Sequence, residues 1–175
     1  MKKTLILLLV ASVFMFGFTV GKKRSEALIP EKEMVQVGII VEDIEQSARN
    51  WAEFLGLENP PNISVASGHE LNPTQFKGEA SKATAKLAFF NLDNITLELI
   101  EPDEKPSTWR EFLDTRGEGI HHIAFNIEDM DTYIENFGKQ GIPMIQHGGW
   151  ETGEYSYMDG SEKLALIIEL LENYK

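Results

Sequence analysis

Cysteine is absent from the 175 residues, which excludes disulfides, thiolate metal sites, cysteine nucleophiles and lipoprotein acylation together. Basic residues are scarce past the N-terminus. Lys2, Lys3, Lys22, Lys23 and Arg24 precede residue 25, and the remainder carries 11 basic against 28 acidic residues, a balance of −17. A body so negative repels phosphate backbones, so nucleic acid is not an expected partner. Histidine occurs at only four positions, His69, His121, His122 and His147. No Ser/His/Asp nucleophile order and no phosphate-cradling glycine loop is present. What remains is the composition of a folded chain, 42% hydrophobic and 25% charged, long enough for one domain or a compact pair of modules plus a terminal extension.

One long apolar run stands out. Residues 4–21 (TLILLLVASVFMFGFTVG) carry no charge and follow Met-Lys-Lys, as the apolar core of an export signal follows its basic start. The run is long for a signal core and short for a spanning helix, so a cleaved signal peptide and an uncleaved anchor both fit residues 1–24. Thr19-Val20-Gly21 is a poor cleavage site followed by three basic residues, which favours the anchor. The expectation is an apolar N-terminal helix, a membrane tether through residues 4–21, and a body exported to the periplasmic or extracellular face.

The remainder repeats itself. Residues 36–51 (QVGIIVEDIEQSARNW) align with residues 122–137 (HIAFNIEDMDTYIENF) at an offset of 86. Each copy reads as a strand, then an aspartate suited to an N-cap, Asp43 or Asp129, then a helix. Ile44, Ala48, Trp51 and Leu55 make one apolar face that Gly56 can end, and Met130, Tyr133, Ile134 and Phe137 make its counterpart, stopped by Gly141 and Pro143. Asp43 with Gln46 resembles a capping box. A second pair, Ile95–Glu101 (ITLELIE) and Leu166–Glu172 (LIIELLE), repeats at an offset of 71. The 15 extra residues of the first half are assigned to a loop from about Asn59 to Glu79, rich in Pro, Asn, Ser and Gly. Ala83–Leu92 and Tyr155–Met158 supply further strands. The predicted fold is therefore α+β: two βαβββ modules, residues 34–102 and 119–173, joined by a linker over 103–118 with a short helix near Thr108–Leu113. Modules so small are marginal alone and should share one core.

Four polar residues occupy repeat-equivalent positions. Glu98 and Glu169 lie inside apolar strands, and Glu169 shares its face with Ile167 and Leu171. A carboxylate there is costly to bury unless it is neutralised, paired or bound to metal. The first strands open with ligand-type residues, Gln36 and His122. A pseudo-twofold would bring the four together around one divalent metal, and three oxygens with one imidazole nitrogen suit Zn, Ni, Co, Mn or Fe better than Ca. The competing reading is that Glu98 and Glu169 face solvent from half-exposed strands. His121 should alternate to the opposite face in a structural role, while His69 and His147 belong to surface loops.

The segments VQVGIIVEDIEQSARNWAEFLGL, LELIEP and RGEGIHHIAFNIEDMDTYIENFGKQGI resemble the vicinal oxygen chelate superfamily, which takes in glyoxalases, bleomycin-resistance proteins and dioxygenases, and within it the methylmalonyl-CoA epimerase and glyoxalase I group. The resemblance covers residues 34–173, and RGEGIHHIAF is its most specific part. It implies a curled mixed-sheet cup around a metal at Gln36, Glu98, His122 and Glu169, often in a chain that pairs as a dimer. Gln36 replaces the histidine of most epimerases, as the glyoxalase I pattern accepts, and the tail MDGSEKLALIIELLE lacks the epimerase His-Pro-Lys.

The activity so implied is that of a lyase or isomerase/epimerase moving a proton next to a carbonyl of a small substrate, with the metal as Lewis acid and Glu169 as the base. Lys86 could point into the cup and hold a substrate carboxylate, or be a solvated strand lysine. Trp150, Tyr155 and Tyr157 could line the mouth, with core or rim packing the default reading for each. Two competitors stand: a non-catalytic small-molecule-binding protein of the bleomycin-resistance type, and, disfavoured because only one histidine is available, a dioxygenase.

Overall fold

Strand alternation sorts the side chains onto two faces of one ten-stranded mixed sheet. The structure, a computed structural model, describes residues 27–175. The first module contains β1 (Gln36–Ile40), α1 (Ile44–Leu55), β2 (Ile63–Ser67), β3 (Gln75–Phe76), β4 (Glu79–Ala80), β5 (Thr84–Asn91) and β6 (Thr96–Pro102). After the linker helix α2 (Thr108–Arg116) come β7 (Gly119–Asn126), α3 (Met130–Lys139), β8 (Met144–Trp150), β9 (Gly153–Met158), α4 (Ser161–Leu164) and β10 (Ile167–Asn173).

The strand order is β2-β5-β6-β1-β7-β10-β9-β8-β3-β4. Its centre is symmetric: β1 runs parallel to β6, β7 parallel to β10, and β1 meets β7 antiparallel. Helices α1 and α3 cover the outer face of their own modules. Val41, Ile44, Ala48, Ala52, Phe90 and Leu99 form the first apolar layer, and Met130, Phe137, Ile142, Ile168 and Leu170 the second. The opposite, inner face curls into a cup. There the linker helix α2 is packed into a third layer, with Trp109 against Ile40, Ala85, Ile100 and Tyr157.

Local chemistry sets the helix ends. The Asp43 side chain accepts from Gln46 N at 2.8 Å, and Gly56 takes the left-handed conformation (φ 70°) that closes α1. Asp129 caps α3 in the same way. The capping box is only half made, because Gln46 Oε1 accepts from Arg49 Nη2 at 3.0 Å instead of from Asp43 N. A second acceptor serves each helix from across the sheet: Glu101 accepts from Ile44 N at 2.9 Å, and Glu172 from Met130 N at 2.7 Å.

The expected loop over Asn59–Glu79 is only partly a loop. It contains the edge strand β2, after which the chain leaves the first module, and the β3–β4 hairpin then adds itself to β8 of the second. Strand β8 also went unrecognised, because its Gln146-His147-Gly148-Gly149 run has little β character. His147 consequently sits in a strand, not a loop, with Nδ1 2.9 Å from Ser156 Oγ.

The expectation of an exported or membrane-anchored body is corrected. No helix among the described residues is long and apolar enough to cross a membrane. The longest, α1, has 12 residues, or about 18 Å against a hydrocarbon core of about 30 Å. The apolar helix, leader and tether expected within residues 1–24 lie outside the described residues.

Candidate metal centre

Four adjacent central strands each contribute one polar side chain to the cup floor: Glu98 from β6, Gln36 from β1, His122 from β7 and Glu169 from β10. Gly38 of β1 is in register with both Glu98 and His122. A Cβ added at Gly38 would lie 2.0 Å from His122 Cε1, so the imidazole occupies the space that glycine leaves free over β1.

The four side chains meet. Gln36 Nε2 donates to Glu98 Oε2 at 2.7 Å and lies 3.4 Å from Glu169 Oε2. His122 Nε2 is 3.0 Å from Glu169 Oε2 and 3.5 Å from Glu98 Oε2. Ligand atoms of Glu98, His122 and Glu169 all fall within 4.8 Å of one another. Burial is nearly complete, at 6%, 0% and 4% exposure for Glu98, His122 and Glu169. The reading in which the two glutamates face solvent is thereby excluded.

Two buried carboxylates so close resist joint ionisation. Burial, and then the charge of Glu169, push Glu98 up to about 8, although His122 and Gln36 oppose the shift. Burial works to lower His122, but the charges of Glu169 and Glu98 outweigh it and leave its pKa raised. The His122 Nε2 atom has no partner in hydrogen-bonding geometry despite its closeness to both carboxylates. A buried nitrogen aimed between two carboxylates, with an amide oxygen type alongside, is a donor set that fits a divalent cation.

His121 departs from the expected alternation. The β1–β7 register skips it, pairing Gly38 with His122 and Ile39 with Ile120, and this bulge turns its ring inward. It is buried against Phe112 and Tyr157, with Nδ1 3.0 Å from His122 Nδ1. One of these nitrogens carries the proton and the other accepts it. For His122 to present a lone pair at Nε2, its proton must sit on Nδ1 and be donated to His121, which orients the ring.

Above the floor lies a cavity of about 570 Å³. Tyr155, Tyr157 and Trp150 line it, Tyr157 as a buried residue and Trp150 37% exposed at its rim. Sequence reasoning missed Leu87 and Phe89 of β5 and Trp109 of α2, all lining residues. It also missed buried Gln146, which accepts from Thr108 N at 2.8 Å and donates to Tyr155 OH at 3.1 Å, tying α2 to the cup wall. Alternation about Leu87 and Phe89 could have revealed the first two. That same alternation corrects Lys86, which does not enter the cup: it shares the α1 face with Ala88 and Phe90 and pairs with Glu101 at 2.9 Å and Glu45 at 3.0 Å. His69 stays in the loop after β2 and lines no part of the cavity.

Comparison with known proteins adds an independent line. The family model described as the glyoxalase/bleomycin resistance protein/dioxygenase superfamily matches residues 35–157. The uncharacterized protein YqjC of Bacillus subtilis (strain 168) is 29% identical over 89 residues, which is 49% of this chain; the match spans 64% of that relative, under two thirds of its length. Among solved structures, methylmalonyl-CoA epimerase from Mycobacterium tuberculosis aligns with a TM-score of 0.55 at 21% identity, covering 86% of this chain and 93% of that one. A variant of the Streptomyces coelicolor methylmalonyl-CoA epimerase in complex with 2-nitronate-propionyl-CoA aligns at 0.52 and 18%, covering 81% and 94%. At such identity the structural likeness establishes the fold alone.

Proposed function

The chain belongs to the glyoxalase/bleomycin resistance protein/dioxygenase superfamily, and on that premise we propose that it is a divalent-metal-dependent lyase or isomerase/epimerase that moves a proton at a carbon beside a carbonyl. The observation that carries this reading is the convergence of Gln36, Glu98, His122 and Glu169 on one buried point at the floor of the cup. In this reading the four residues hold one ion, taken from Zn, Ni, Co, Mn or Fe, with Gln36 binding through its side-chain oxygen after the amide turns over. A bound ion supplies Lewis acidity to two neighbouring substrate oxygens, and the chain supplies everything else.

Glu169 takes the proton in this scheme. Its Oε2 faces the cavity floor from β10 and is shared between His122 and Gln36, so the carboxylate can turn toward a substrate carbon without leaving the site. Glu98 is also buried, and until the Gln36 amide turns over it accepts a hydrogen bond from Gln36 Nε2. Trp109, Tyr155 and Tyr157 screen the floor from water, which strengthens every charge interaction there. The single histidine among the four supports the isomerase or lyase chemistry over that of a two-histidine dioxygenase.

The test is Glu169→Gln. The variant should keep near-stoichiometric metal while α-proton exchange with solvent, followed by NMR in deuterated buffer on α-hydroxy, α-keto and hemithioacetal compounds, falls by about 100-fold or more. Full exchange in the variant removes the role given to Glu169. Purified protein without metal would instead favour a sequestering cup of the bleomycin-resistance type.

A further inference from the structure

Among the described residues the cup wall carries no lysine or arginine, and the wall of the 570 Å³ cavity is built largely of Leu87, Phe89, Trp109, Trp150, Tyr155 and Leu171. Two basic groups on the flanking elements β5 and α2 are committed elsewhere: Lys86 to Glu45 and Glu101 behind the sheet, and Arg110 to Asp114. At the floor His122 faces two carboxylates.

Charge balance then selects the occupant. With Glu98 and Glu169 both ionised, a divalent ion only balances them, and the floor offers no net positive charge. A carboxylate or phosphate held against this wall would lose part of its hydration with no cation to compensate it. An uncharged molecule avoids that cost, and a proton passed from it to Glu169 leaves the total charge of the site unchanged. The aromatic wall meanwhile offers dispersion and ring contacts to an apolar body.

The strand-to-strand strap makes the enclosure tighter. Between β2 and β3 the chain crosses the open side of the cup, and Gly68 and buried Thr74 join the cavity wall. Asn72 latches this crossing by donating to Tyr174 OH at 2.8 Å and Gly153 O at 3.3 Å, while Tyr174 OH donates to Glu154 at 3.0 Å.

We propose that the cup takes an uncharged small molecule with an aromatic or branched aliphatic body and two neighbouring oxygens, in preference to a carboxylate- or phosphate-bearing one. The two oxygens rest on the metal-centred reading above; the preference for zero charge rests on the cation-free wall together with the two floor carboxylates. It separates this chain's ligand from the coenzyme A thioesters handled by its structural neighbours.

The experiment uses the full chain loaded with zinc, with metal content determined on the same sample, and isothermal titration with three probes: α-hydroxyacetophenone, mandelate and methylmalonyl-CoA. α-Hydroxyacetophenone and mandelate share a phenyl body and adjacent oxygens but differ by one charge. The uncharged probe should bind about tenfold or more tighter than either anion. Equal or tighter binding of mandelate or methylmalonyl-CoA, or no measurable binding of α-hydroxyacetophenone, overturns the proposal. Stoichiometric zinc with an anion preference sinks only the charge selection, whereas absence of zinc with the neutral preference intact sinks only the metal reading.

Discussion

At the scale of single residues, the floor of the cup depends on an atom that is not there. Gly38 has no side chain, and the imidazole of His122 lies where its Cβ would be, with Cε1 at 2.0 Å and both ring nitrogens at 2.5 Å. The ring is pinned on its other edge by His121, so it has no easy retreat. Gly38→Ala should therefore destabilise the fold by about 1–3 kcal/mol through overpacking. By tilting a ligand ring it should also weaken zinc binding by about 10–100-fold. Thermal unfolding and competitive metal titration would measure the two effects, and an alanine variant with unchanged zinc affinity would contradict the placement of His122.

At the scale of elements, each module ends on a strand whose two glutamates do opposite work. In β6, Glu98 points into the cup and Glu101 out to the start of α1; in β10, Glu169 points in and Glu172 out to the start of α3. A spacing of three on a strand puts the pair on opposite faces, so one repeat unit builds both a ligand and a helix cap. The outer carboxylates sit where helix N–H groups lack partners and the helix dipole favours negative charge. Glu172→Ala should cost about 1–2 kcal/mol of stability, as loss of a helix N-cap does, with zinc stoichiometry intact. Glu101→Ala should do the same and leave Lys86 paired with Glu45 alone. Denaturant unfolding with metal analysis would check both, and loss of zinc in either variant would mean that the two faces had been assigned wrongly.

At the scale of the whole molecule, stability should depend on pH in a direction opposite to that of most acidic proteins. Glu98 is raised from 4.5 to about 8 in the fold, and His122 is raised above 6.5. A group whose folded pKa lies above its unfolded value contributes its full stability below the unfolded value and loses it as pH climbs through the folded one. Both groups thus act in the same sense between pH 6 and 8, opposed only at the acid end of that window by His121, which burial holds well below 6.5. Carboxylates held low by partners, such as Asp103 and Asp114, are ionised in both states across that window and drop out. The metal-free protein should lose stability as pH rises from about 6 to about 8, on the order of 1 kcal/mol per pH unit. Zinc, which competes with those protons, should restore more stability at pH 8 than at pH 6. Thermal melts in chelator and in zinc across this range would show it; a flat chelator curve would count against the buried, mutually repelling pair.

Much of this was written locally in the chain. Strand and helix periods, the aspartate caps, Gly56 as a stop and the matched positions of Gln36, Glu98, His122 and Glu169 can all be read from short segments, because each depends on neighbours a few residues away or on comparison of one repeat with the other. What only the tertiary structure decided depends on which strands lie side by side. The bulge that turns His121 inward arises from pairing with β1, more than 80 residues earlier. Lys86 is drawn outward by Glu45 and Glu101 once β5 is stacked on α1. The extra segment of the first module becomes a strap because β8 offers it an unpaired edge. That no lysine or arginine among the described residues lines the cup could not be read from composition, since which side chains line such a space is set only when distant strands close around it.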